Sequence, residues 1–127
     1  MNKNSAKKPK IEEGTIMPIY MLQGRYTQGA IRNLISNPED RSKAAAGVIK
    51  AAGGKLLQYF MSFGEYDFVA LADYPSDEAA MASAMAAGSV GHVTDLKTTK
   101  LMTAAEAMKA MATAAAAAPS LAPPKGK

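Results

Sequence analysis

Two carboxylates and a phenol fall within four residues at Gly64-Glu65-Tyr66-Asp67. Carboxylates that close shift each other's pKa and collect positive charge, so Glu65 and Asp67 could act as an acid/base pair or hold a hard cation. A tight turn accounts for the same residues without chemistry: Asp67 hydrogen-bonds turn backbone, Glu65 stays solvated and Tyr66 packs over the reversal. His92 is the single histidine and the third catalytic candidate, as a general base, against a structural role at the mouth of an edge strand. With no second histidine a His-rich metal site cannot be built, and neither a metal nor a cofactor is expected. Arg25 and Tyr26 stand side by side, where guanidinium and phenol could hold an anion or a carbonyl. The alternative there is pairing of Arg25 with Glu65 or Asp67. Tyr20, Arg25, Tyr26 and Tyr66 are thus the ligand-binding candidates, although Tyr20, Tyr59 and Tyr74 equally suit an amphipathic core or interface. No phosphate-binding loop, dinucleotide glycine fingerprint or serine nucleophile motif occurs.

At 127 residues the chain has room for one hydrophobic core. Its longest apolar run is too short for a membrane helix, and the Lys-rich start leads into Ile11-Glu12-Glu13-Gly14 instead of an apolar signal core. A cytoplasmic protein is expected. The absence of cysteine excludes disulfides, thiolate catalysis and iron–sulfur clusters. The net charge of +4 comes from the two ends, because residues 17–118 hold nine bases and nine acids. A neutral body with basic tails is not a groove-shaped nucleic-acid footprint, so no specific nucleic-acid partner is expected.

Residues 1–16 are polar, Lys-rich and without periodicity, and are expected to form a disordered basic arm. A folded domain then spans 17–103. Its first strand, 19–26, places Tyr20, Leu22, Gly24 and Tyr26 on one face and Ile19, Met21, Gln23 and Arg25 on the other. Thr27 suits an N-cap for a helix carrying Ala30, Ile31, Leu34 and Ile35. Asn37-Pro38 interrupts that helix, and a second segment beginning near Pro38 runs to Gly53-Gly54. The aromatic and aliphatic runs on either side of Gly64-Glu65-Tyr66-Asp67 form a β-hairpin. A short helix over 78–87, capped by Ser76 or Asp77, precedes a polar edge strand over 90–101. The capping-box pattern Thr103-Ala104-Ala105-Glu106 opens an Ala/Met-rich helix over 104–118, and 119–127 is expected to be a disordered tail.

The order is β-α-β-β-α-β with an extra C-terminal helix, an α+β ferredoxin-like arrangement with a four-stranded antiparallel sheet and helices on one face. Because Leu57, Tyr59, Met61 and Phe63 alternate with Leu56 and Phe60, the uncovered sheet face needs a partner, and a two-fold copy of the chain is the economical one.

Five stretches carry a likeness to a known family: Tyr20-Met21-Leu22 with Tyr26-Thr27-Gln28-Gly29-Ala30-Ile31, then Gly53-Gly54-Lys55-Leu56, Phe63-Gly64-Glu65-Tyr66-Asp67, Asp77-Glu78-Ala79-Ala80, and Gly88. Over about residues 18–103 the chain resembles the GYD domain family of small bacterial proteins. The resemblance implies a ferredoxin-like fold akin to the dimeric α/β barrels and attaches no established activity; the Ala/Met-rich tail extends past the usual domain. The expected function is that of a small homodimer binding a small molecule or a protein partner. The alternatives are a cofactor-free monooxygenase or isomerase-like enzyme and an assembly module acting through its tails.

Overall fold

In the computed structural model, which describes residues 17–126, four strands form one antiparallel sheet in the order β2-β3-β1-β4. They are β1 (Ile19–Tyr26), β2 (Lys55–Met61), β3 (Phe68–Asp73) and β4 (Val93–Leu101), and the helices are α1 (Gln28–Ser36), α2 (Ser42–Ala51), α3 (Asp77–Ser89) and α4 (Ala104–Ala117). The protein is α+β. The sequence predicts β-α-β-β-α-β with an extra C-terminal helix; the helix interruption at Asn37-Pro38 makes two elements of the first crossover, so the order is βααββαβα. The arm expected over residues 1–16 lies outside the described residues.

The break between α1 and α2 has a local cause. Pro38 disfavours the helical region for Asn37, and the Asp40 carboxylate accepts a hydrogen bond from the Ser42 N–H at 2.9 Å. That bond holds the first helical N–H from outside the helix; α2 starts at Ser42, with Arg41 as its N-cap, and not near Pro38. At its other end α2 stops as the sequence predicts. Gly53 adopts φ 97°, which an L side chain rarely does, and the Gly54 and Gly53 N–H groups donate to the Ile49 and Lys50 carbonyls in a Schellman closure.

Four residues aligned across all four strands, Tyr59, Ala70, Leu22 and Thr98, form one row of the helix-covered face. The neighbouring row contains Leu56, Ala72, Tyr20 and Lys100. Simple alternation along β2 would separate Leu56 from Tyr59. An extra residue at Leu57 shifts the register between Leu56 and Gln58, so that both face the helices. The core is Tyr20, Ile49, Ala72, Tyr74 and Ala80, with the Tyr20 and Tyr74 rings edge to face at 5.4 Å. Alanine at 70 and 72 lets α2 and α3 approach the sheet. A Cβ at Gly24 would lie 2.7 Å from both the Leu96 Cδ2 and the Phe68 Cζ; glycine lets these two side chains close over the β1 backbone.

β1 also packs against the loop before β4. The Thr27 N–H donates to the His92 carbonyl at 3.0 Å, and the Thr27 hydroxyl donates to the Gly91 carbonyl at 2.9 Å while accepting from the Ala30 N–H. One threonine therefore caps α1 and fixes His92 beside Tyr26. α1 itself buries no residue, and Ile31 and Ile35 of its helically spaced apolar set are exposed.

The opposite sheet face carries Met21, Leu71, Val69 and Phe60 with no element over it among the described residues. Phe60 is 52% exposed. α4 has the predicted capping box, with the Thr103 hydroxyl and Glu106 carboxylate exchanging bonds with each other's backbone N–H groups, but buries none of its residues. A 3-10 turn at Ala118–Ser120 follows it. Among the described residues, no helix is long and apolar enough to cross a membrane.

Candidate functional site

Between the sheet and helices α2 and α3 lies a cavity of about 300 Å³, within the size range of small-molecule sites. Its floor is the strand-crossing row Tyr59, Ala70, Leu22 and Thr98. Alanines and Val48 make most of the helical walls. From Ser83 to Val90 the α3 wall spans about 10 Å at ~1.5 Å per residue.

Polar groups converge at one end. The Tyr26 and Tyr59 hydroxyls are hydrogen-bonded to each other, and the Phe68 ring lies 5.4 Å from that of Tyr26 and stacks on that of Tyr59 at 5.8 Å. Arg41 and His92 join Tyr26 in lining both the cavity and a shallower depression of about 140 Å³ outside it, which Glu39 also lines. Arg41 reaches Glu39 at 3.2 Å. Burial, reinforced by the bond to Tyr26, holds the Tyr59 hydroxyl far above the usual tyrosine range. Burial also raises Tyr26, against the opposing influence of the Tyr59 hydrogen bond and the Arg41 guanidinium. Both phenols are therefore neutral hydrogen-bonding groups at physiological pH.

Among the described residues, Ser83 is the one buried polar residue, at 3% exposure. It shares a 2.8 Å hydrogen bond with the Tyr74 hydroxyl and lines the cavity from α3. A buried hydroxyl without a partner is costly, and this pair removes that cost for both side chains.

The structure brings Tyr26 and His92 together at the cavity mouth and places the other sequence candidates elsewhere. Asp67 ties the hairpin to β1: its carboxylate accepts from the Tyr26 N–H at 2.9 Å and its own N–H donates to the Gly24 carbonyl at 2.8 Å. Glu65 is exposed and Tyr66 half-buried in the same turn, where the Tyr66 carbonyl accepts from the Ser62 hydroxyl. Arg25 lies on the uncovered sheet face and pairs with Asp95 at 3.9 Å, not with Glu65 or Asp67. Asp95 is the extra residue of a bulge in β4 and has φ 52°, a conformation aspartate tolerates. Tyr20 donates to Asp77 at the start of α3, and Lys100 reaches the same carboxylate at 3.0 Å. None of Tyr20, Arg25, Glu65, Tyr66 and Asp67 lines the cavity. Among the described residues, no group of three or more His, Asp or Glu side chains is placed to hold a metal ion.

A family model described as the GYD domain matches residues 20–111. The chain belongs to the GYD domain family. The match includes all of the sheet but its first residue, Ile19, and extends past the expected boundary at 103 into α4. A comparison with curated proteins returns no match. In this GYD chain the Gly-Glu-Tyr-Asp turn stands beside the cavity end without entering it. Asp67 fixes the backbone of Tyr26, and the Tyr26 side chain is what reaches the site.

Arg41 and Ser83 were not legible as site residues. Arg41 lies in a stretch whose proline suggests a helix start, which would turn its side chain with a helix face. Ser83 is one small residue in an Ala/Met helix, and only packing against Tyr74 marks it. Tyr59 carried a signal in its place within an aromatic strand, but the bulge at Leu57 decides which face it occupies.

Proposed function

We propose that the protein binds a small, largely apolar molecule in the cavity between sheet and helices, within a ferredoxin-like subunit of the dimeric α/β-barrel kind. The observation that carries this reading is the cavity itself: apolar walls closing on the Tyr26, Tyr59, Arg41 and His92 side chains at one end match the usual build of a ligand site, in which a few polar groups orient an apolar body. Native mass spectrometry tests it. The wild-type protein is expected to retain a small molecule or take up an added aromatic one, and Ala84→Leu, which fills the cavity from α3, is expected to lose it with the fold intact. Absence of any bound species across an aromatic panel would overturn the reading.

The same proposal covers the uncovered sheet face with a second copy. Met21, Leu71, Val69 and Phe60 form its apolar middle, and Lys55, Asp73, Arg25 and Asp95 give its margins both signs of charge. A two-fold copy therefore meets an apolar centre without a single-sign field around it.

A second reading, an enzyme of the cofactor-free monooxygenase or isomerase kind, draws on the Tyr26–Tyr59 pair. Neutral phenols in an apolar site are suited to donate to negative charge developing on a substrate oxygen, with His92 at the mouth as the base. Conversion of a bound aromatic compound, lost in Tyr59→Phe even when the compound saturates the variant, is the outcome that separates this reading from binding alone.

A further inference from the structure

We infer that the ligand of this cavity is an apolar molecule carrying an anionic oxygen, a hydrophobic carboxylate or equivalent acid, seated with its charge toward Arg41. This rests on the cavity being a ligand site and adds the chemical class of what it takes.

The sign of the lining decides it. Among the described residues the charged side chain at the cavity end is that of Arg41, beside His92, and no aspartate or glutamate lines the cavity; Lys97 borders it by its backbone position, because its pairing with Gln23 puts its side chain on the opposite sheet face. An apolar enclosure lowers the local dielectric, so a guanidinium at its mouth attracts an anion more strongly there than on an open surface, and repels a cation. Arg41 offers five N–H donors, and its side chain is 27% exposed. Its partner Glu39 is 56% exposed at 3.2 Å and lines the outer depression, not the cavity. A solvated partner of that kind is held weakly and can be exchanged.

The phenols add a second donor. Two hydroxyls that share one hydrogen bond still have one proton between them to give. If Tyr59 donates to Tyr26, the spare proton faces the Met61 sulfur at 3.7 Å, a weak acceptor. If Tyr26 donates, the Tyr59 proton is the spare one. An anionic oxygen is a better acceptor than a thioether and makes the shorter, charge-assisted bond. A neutral ligand would leave the guanidinium with Glu39 alone, and an ammonium would meet the Arg41 guanidinium.

Titration with matched probes tests this: 2-naphthoate against 2-naphthamide, alike in shape and different in charge, on the full chain. The carboxylate is expected to bind about tenfold more tightly at low ionic strength and to lose that advantage as salt rises, while the amide does not respond. Arg41→Gln should bring the carboxylate down to the amide's affinity, and Glu39→Gln should strengthen the carboxylate alone. Arg41→Lys, which keeps the charge and loses the fork, should fall between, and it serves if Arg41→Gln fails to fold. Equal affinities for the two probes, with both displaced by Ala84→Leu, would overturn the anionic class and leave the cavity as a ligand site. Binding of neither probe to a folded protein would overturn both.

Discussion

Tyr26 and Tyr59 share a hydroxyl hydrogen bond across two strands that are not neighbours in the sheet: β3 runs between them, and its Phe68 ring lies against both. The bond therefore stitches β1 to β2 over the top of the strand that separates them. Tyr59→Phe keeps the ring stacking and removes the hydroxyl, and is expected to cost about 1 kcal/mol of stability. A thermal melt reads that loss, and titration with 2-naphthoate should show weaker binding than the melt alone explains.

At the other end of the sheet, Tyr20 and Asp77 make stability depend on pH in both directions. Burial, with the Asp77 hydrogen bond and charge adding to it, pushes the Tyr20 hydroxyl up to about 12 from its ordinary 10.0. The unfolded chain releases that proton first, so this contribution is complete below pH 10.0 and lost as pH rises through about 12. Asp77 is held below its ordinary 3.8 by the Tyr20 hydrogen bond and then by Lys100, so its contribution is present above pH 3.8 and lost as pH falls. Tyr20→Phe is expected to flatten both limbs of a curve of melting temperature against pH. A variant curve that keeps the wild-type alkaline slope would show that other groups set it.

The hairpin turn separates its two acids by what each touches. Asp67→Ala leaves the Tyr26 N–H without its carboxylate and is expected to cost about 1–3 kcal/mol. Glu65→Gln changes an exposed side chain and should stay within about 0.5 kcal/mol. Urea unfolding of the two variants, run with and without a divalent cation, checks this; a cation-dependent midpoint in the wild type would return Glu65 and Asp67 to candidacy as a metal site.

Oligomeric state follows from the uncovered face. The wild-type chain is expected to scatter light as a dimer at micromolar concentration. Leu71→Arg, at the centre of that face opposite Met21, should give a monomer with unchanged far-ultraviolet circular dichroism. A wild-type monomer, or a Leu71→Arg dimer, would place the subunit contact elsewhere or remove it.

Much of this fold is written locally. Aromatic and aliphatic runs bounded by glycine mark β2 and β3, Gly53-Gly54 ends α2, and Ser76 and Thr103 cap the helices that follow them. What is not local is which side chains meet. The bulge at Leu57 depends on how β2 pairs with β3, and nothing in Leu56-Leu57-Gln58 announces it. The helix start that Pro38 suggests comes later, at Ser42, and that displacement leaves Arg41 at the N-cap beside the cavity. The concentrated charges of the turn drew attention to Glu65 and Asp67, whereas the site is assembled from residues on all four strands, two helices and the segments carrying Arg41 and His92, each unremarkable alone.

The helical walls of the cavity are built largely from alanine, with Ala44 and Ala45 on α2 and Ala84 and Ala87 on α3. Adding methylenes to a filled core forces its neighbours aside, but here the space in front of each Cβ is already empty. A change from alanine to valine or leucine at one of these positions would reshape the enclosure while the backbone stays where the sheet and the glycine closure of α2 hold it. On the proposed ligand-binding reading, preference in such a scaffold can drift by single codons, one wall position at a time, with Tyr26, Tyr59 and Arg41 left to hold whatever oxygen the new occupant presents.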